Sequence, residues 1–286
     1  MTSQTTASTP APTTGPTSRP AIAAAATALP PRGRVLLAHT KALTLDLLRT
    51  PIAIVSAVAF PTLVFAFFVV PQGSVTADPI MSLVSVAQLA VFGVMSAYLF
   101  GFGIGVAEDR ANPWTTYMRT LPVGPMPTTL ARFLTAAFSA GLSLVPLVIA
   151  AGLLTSAPQA FTSGDLSWAR IPLALLTILL AATPFLGLGL AIGYLMSSKA
   201  AVAVAQLVNF PLAFIGGLML PPEMFPNWLN ALSLATPARS ARDLVAGVLT
   251  GEPIPASTVP VTVGWAIVLV ALAVWANRRD EGRRFR

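Results

Sequence analysis

The chain has 286 residues, 55% of them hydrophobic and only 9% charged, with a mean hydropathy of +0.77. Such values lie well above an ordinary soluble domain, and several apolar runs exceed the roughly 18 residues that mark a spanning helix, so soluble fold classes are excluded and an all-α integral membrane protein is expected. With no cysteine and one histidine, His39, the chain has no disulfide, thiolate or histidine-cluster metal site, and its net charge of +7 comes from basic residues flanking the apolar runs, which points to membrane topology rather than to nucleic acid.

Residues 1–31 are rich in Thr, Pro, Ser and Ala, with Arg19 the single charge. This composition cannot bury a core, so a disordered head is expected. Its start is neutral and its AIAAAATALPP stretch is short and weakly apolar, so it does not read as a secretory signal. Residues 32–286 then read as one six-helix transmembrane domain. Its first part, RGRVLLAHTKALTLDLLRT (32–50), sets Val35, Leu36, Leu43, Leu47 and Leu48 at helical spacing among Arg34, Lys41, Asp46 and Arg49. Basic amphipathic helices of this kind lie in the membrane interface, and His39 is read as an interfacial residue there.

The first span is expected at Ile52–Val70, kinked by Pro61. The second, Ile80–Ala107, is longer than a bilayer needs and ends with Gly101, Gly103 and Gly105. That glycine series lies inside an apolar run with no strand before it, so close helix packing is expected rather than a dinucleotide loop. A polar stretch follows, EDRANPWTTYMRTLP (108–122), with four charges, two aromatics and two prolines. It reads either as a solvated loop or as a short surface helix offered to a partner. The third span is expected at Phe133–Leu154, the fourth at Ile171–Met196 and the fifth at Ala200–Leu220; Gly189 and Gly193, four apart, are placed to seat a neighbouring helix. The stretch 221–258 carries two apolar groups too short to span, which suit short amphipathic or re-entrant helices at a membrane face. A sixth span, Thr258–Ala276, leads into the basic tail NRRDEGRRFR.

Six spans with both ends inside place fourteen Lys and Arg on the inner segments and three, Arg170, Arg239 and Arg242, on the outer ones. The excess marks the cytoplasmic side. Both termini and the 108–122 stretch are therefore expected in the cytoplasm, with 221–258 facing outward across the cytoplasmic membrane.

None of the six spans contains Asp, Glu, Lys, Arg or His, which weakens a proton-relay mechanism without removing sodium coupling through backbone carbonyls. The only lysines, Lys41 and Lys199, do not follow a glycine, so no phosphate-binding loop is present. Uphill transport would then draw its energy from another subunit. Within the spans, Gln88, Gln206 and Asn209 either bond neighbouring helices or line a substrate path, with Phe210, Phe214 and Met219 as its apolar wall or as plain packing.

Three segments carry a resemblance to a family: the polar stretch with Glu108, Arg119, Leu121 and Pro122; the interfacial helix before the first span; and LPPEMFPNWLNALSLATPARSARDLVAGVL, with Pro226, Trp228, Leu229 and Pro237. In that order, over about residues 32–286, the chain resembles the permease subunit of type 2 ATP-binding-cassette (ABC) exporters, the group that includes daunorubicin-resistance permeases. Where the family commonly has a glycine after the acidic opening, this chain has Ala111, Asn112 and Pro113. The resemblance implies a homodimer, or a heterodimer with a similar permease, among membrane lipids and bound to a cytoplasmic ABC ATPase that holds ATP and Mg. No cofactor or metal is expected on this chain, and no catalytic residue. Glu108, Asp109, Arg110, Trp114, Tyr117, Met118, Arg119, Leu121 and Pro122 would couple to the ATPase, with the aromatics as buried anchors. The substrate would be amphiphilic or apolar, drug-like or lipid-linked, and moved outward. The alternatives are an ion-coupled secondary transporter and a membrane-embedded lipid-modifying enzyme using Glu223, Asp243 or Glu252.

Overall fold

A computed structural model describes residues 32–49, 59–112 and 126–284. The Thr/Pro-rich head lies outside the described residues, as do Trp114, Tyr117, Met118, Arg119, Leu121 and Pro122. No strand occurs among the described residues. In chain order the helices are α1 (Arg32–Arg49), α2 (Ala59–Val69), α3 (Gly73–Ala77), α4 (Pro79–Ala111), α5 (Met126–Leu154), α6 (Gln159–Thr162), α7 (Arg170–Ala181), α8 (Thr183–Leu195), α9 (Ser198–Ile215), α10 (Asn227–Leu234), α11 (Pro237–Thr250) and α12 (Thr258–Arg284).

Five stretches are long and apolar enough to cross a membrane: α4, α5 from Leu130, α7 continued by α8, α9, and α12 to Asp280. The expected first span is represented by the shorter apolar helix α2, whose preceding residues 50–58 lie outside the described ones. Helix α4 is the central post. Its most apolar window is 67% buried, against 22% for those of α5, α9 and α12, so those three turn most of their surface outward while most of α4 is covered by its neighbours. Asp78 starts α4 as its N-cap, accepting from Ile80 N at 2.8 Å and Met81 N at 3.0 Å, with Pro79 at the first helical position.

Small residues set the closest approaches. A Cβ at Gly189 would stand 2.7 Å from the Tyr98 carbonyl oxygen, and one at Gly187 would stand 2.7 Å from the Leu269 backbone. Helix α8 is thus pressed between α4 and α12, as the Gly189/Gly193 spacing predicts. Gly103 faces Gly189 and Ile192 across the same seam.

Two faces can be told apart from their contacts. On one, here the near face, Arg110 donates to Gly193 O (2.8 Å) and Met196 O (2.9 Å) and pairs with Asp280 (2.5 Å). The start of the polar segment, the α8–α9 turn and the end of α12 therefore meet there, and α1 joins them through Asp46 and Leu47. On the far face Ser156 bonds Thr76 O at 2.8 Å, Arg170 bonds Val248 O at 2.9 Å and Trp265 bonds Ala235 O at 2.7 Å. The stretch 221–258 lies there as the expected short helices, α10 and α11. Helix α11 is capped by Thr236, which accepts from Arg239 N, and closed by Gly251 at φ +83. That left-handed φ favours glycine, and the Arg170 guanidinium lies against it.

Candidate functional site

The 3.6-residue repeat of α4 gives it two working faces. Leu99, Phe102 and Val106 pack inward, with Gly103 on the α8 seam. The other face, running through Phe92, Ser96, Phe100, Ile104 and Glu108, lines a cavity of about 650 Å³. The cavity follows α4 from Phe92 to Asp109, which at 1.5 Å per residue is about 26 Å of helix. Its other walls are α1 (Leu43, Asp46, Leu47), α2 (Phe60, Pro61), α5 (Arg132, Thr135, Ser139, Ser143) and α9 (Gln206, Asn209, Phe210).

The lining changes character along its length. The near end carries Asp46, Glu108, Asp109 and Arg132. Asp109 and Arg132 form an ion pair from α4 to α5 across this mouth, and Gly105 leaves room for it: a Cβ there would stand 3.1 Å from Arg132 Nη1. The middle is a stripe of hydroxyls and amides. Asn209, buried, is held to Ser96 by bonds of 3.1 and 3.2 Å between α9 and α4. The far end is aromatic, where Phe60 stands 5.7 Å from Phe92 and 6.1 Å from Phe210 between ring centres. The groove is thus charged at one end, weakly polar along its wall and aromatic at the other.

The ABC-2 type transporter family model matches residues 34–250, from α1 to the end of α11. The chain belongs to the ABC-2 type transporter family. It is also 22% identical over 198 residues, 68% of this chain and 76% of the relative, to the Bacillus subtilis (strain 168) protein named "Putative transport permease YvfS". The resemblance read from the polar stretch, the interfacial helix and the 221–258 hairpin is thereby borne out at the level of family.

Of the residues singled out as a substrate path in this ABC-2 chain, Gln206, Asn209 and Phe210 meet on the groove. Gln88, Phe214 and Met219 are not among its lining residues. Phe214 is exposed on α9, and Met219 packs against the core. The Gln88 carboxamide, oriented so that donor and acceptor both find partners, accepts from Arg242 Nη2 at 2.7 Å and Nε at 3.1 Å. In that orientation Gln88 bonds α4 to α11.

Of the coupling residues, Glu108, Asp109 and Arg110 are described. Glu108 is exposed at the groove mouth, Asp109 faces Arg132, and Arg110 faces α8 and α12. The rest of that set, Trp114 to Pro122, lies outside the described residues. Glu223, Asp243 and Glu252 do not converge: Asp243 is paired with Arg239 and Arg242, Glu223 is 3.9 Å from Arg242, and Glu252 lies exposed beyond α11. Among the described residues no group of His, Cys, Asp and Glu is arranged to hold a metal.

Sequence reading missed two features. Asp46 and Arg132 line the groove although they stand in flanking segments, and Arg242, counted among the outer charges, is buried together with its neighbour Asp243. The signal for the last was present in α11, where Arg239 and Asp243 are four apart and form a 2.8 Å ion pair.

Proposed function

We propose that this chain is the membrane-spanning permease of an ABC exporter, moving an amphiphilic or apolar substrate outward across the cytoplasmic membrane. A separate cytoplasmic ATPase subunit hydrolyses the ATP, with its Mg, and the permease works as a dimer with itself or with a similar chain. The observation that carries this reading is the family match over residues 34–250 together with a groove whose mouth is formed by the start of the polar stretch. The basic excess of fourteen against three supports the near face as cytoplasmic. In this reading Glu108 to Pro122 docks in the ATPase, and substrate enters the groove beside Asp46, Glu108, Asp109 and Arg132.

The pair of consecutive residues at the mouth gives the stroke a route. Asp109 holds α5 on one side and Arg110 holds α8 and α12 on the other. A displacement of the segment that follows them would act on both halves of the bundle at once. The test is gentle purification of the tagged chain from its own membranes with identification of what comes with it. A stoichiometric cytoplasmic ATPase, lost when residues 108–122 are altered, is the expected result. A chain that emerges alone, under conditions that keep known transporter complexes intact, would overturn the reading.

A further inference from the structure

Toward its near end, helix α12 has two distinct faces. Leu269, Ala273, Ala276 and Asp280 follow one another at three- and four-residue steps, and all four are buried. The opposite face turns outward: Ile267, Val268 and Trp275 are 65%, 57% and 50% exposed. Arg278 and Arg279, three and four residues beyond Trp275, continue that face and are exposed as well. One ridge of α12 thus runs from aliphatic side chains through an indole to two guanidinium groups. That is the order of environments met on passing from the acyl chains of a bilayer to its headgroups.

The positions of the charges at the end of this ridge matter as well as their number. From Asn277 on, the chain carries five arginines and two acids, Asp280 and Glu281. Asp280 is turned into the bundle, where Arg110 meets it at 2.5 Å, so it does not neutralise the outward pair. Arg279 is held over the Trp275 ring, its Cζ 5.2 Å from the ring centre, a contact that keeps a guanidinium charged and close to the helix. Of the ion pairs among the described residues, none involves Arg278 or Arg279. Cations that served only to orient the chain would need no such arrangement, because that effect follows the number of Lys and Arg in a segment. Guanidinium groups bind phosphate oxygens through paired N–H donors, and an indole beside them suits the level where lipid chains meet their headgroups.

We propose that Trp275, Arg278 and Arg279 form a binding site for an anionic phospholipid of the cytoplasmic leaflet, with its phosphate on the two guanidinium groups and its chains along Ile267 and Val268. This goes beyond the permease reading and takes from it only the near face as cytoplasmic. An acidic surface of a partner subunit would complement the same charges. The lipid is favoured by the continuity of the ridge with the outward flank of α12, along which a soluble partner cannot reach. The opposite face of the same turn is braced to α4 and α8, because Arg110 joins Asp280 to the carbonyls of Gly193 and Met196. A lipid held at Arg278 and Arg279 therefore steadies a junction of three helices, and a ligand that binds the folded chain raises its stability.

The test is thermal unfolding of the purified chain in a neutral detergent, with dioleoylphosphatidylglycerol or dioleoylphosphatidylcholine added. The anionic lipid is expected to raise the midpoint by about 4 °C or more, the scale set by two arginines near an anionic surface, and the zwitterionic lipid by less than half as much. Arg278→Gln/Arg279→Gln should lose most of the difference between the lipids. Arg34→Gln/Lys41→Gln, which removes as much exposed charge from α1, should keep it. Each shift is read against the same variant without lipid, so a general loss of stability does not enter. Removing two of the fourteen inner basic residues leaves the orienting excess in place. Equal shifts from the two lipids, or an Arg278→Gln/Arg279→Gln chain that keeps the full difference, would overturn the site. So would an α1 variant that loses as much, since net charge alone would then draw the lipid. A cytoplasmic ATPase lost from the Arg278→Gln/Arg279→Gln chain while the lipid difference stays would give this surface to that subunit and overturn the lipid assignment.

Discussion

Arg110 ties three helices at one point. Its guanidinium satisfies two carbonyls at the end of α8, which no helical N–H can reach, and meets the buried carboxylate of Asp280 on α12. Arg110→Met removes a cationic partner of a carboxylate whose side chain is 6% exposed. The expected loss is about 3 kcal/mol, the scale for breaking a buried pair from one side. Arg110→Met with Asp280→Asn should recover most of that loss, because no charge is then stranded. Thermal unfolding of the purified variants in detergent measures both, and a double variant no more stable than the single would refute the pairing argument. Tyr98 is a second case at this scale. Its hydroxyl is buried and without a hydrogen-bond partner among the described residues, so Tyr98→Phe should be neutral or stabilising by about 1 kcal/mol. A destabilised Tyr98→Phe in the same melts would show that the hydroxyl has a partner.

Helix α8 shows what the element scale adds. Three glycines, Gly187, Gly189 and Gly193, make its surface flat where α4 and α12 approach. Gly189→Val would drive a branched side chain into the α4 backbone, 2.7 Å from its first carbon, and should cost about 1–3 kcal/mol by overpacking. Gly141→Ala, on α5 with open space around it, should cost nothing measurable. The two variants melted side by side test whether the seam or glycine content as such sets stability. The 189/193 spacing made this seam legible in advance, since helix packing needs small residues at four-residue intervals. The role of Gly105 was not legible in that way. It leaves space for Arg132, which lies beyond the polar segment, and no spacing rule connects the two.

For the whole molecule, the arrangement is a groove with charged residues at its near end and the rings of Phe60, Phe92 and Phe210 at its far end. Two single cysteines test it together. Ser139→Cys, on the groove wall, should react with an impermeant maleimide in inverted vesicles and resist it in intact cells. Met224→Cys, on the far-face hairpin, should do the reverse. Ser233 would be a poor reporter there because, on the inner side of α10, it is fully buried. Equal labelling of Ser139→Cys from both sides would contradict a groove closed at Phe92.

Membrane residence, helical class and the limits of most spans were determined by sequence alone. Twenty-residue apolar runs have no other stable solution in lipid, where every backbone group must be bonded within its own helix. The ABC-2 family was legible as well, through the order of the interfacial helix, the polar stretch and the outer hairpin, and residues 34–250 match its model. The groove belongs to the tertiary structure. Gln88 and Asn209 were equally suited to bonding helices or lining a path until their partners were known. Gln88 went to Arg242, and Asn209 to Ser96 while still facing the groove. An amide has the same chemistry in either place. Its role is fixed by which distant residue the packing brings within 3 Å, and that depends on how helices cross, which the local pattern along a chain does not encode.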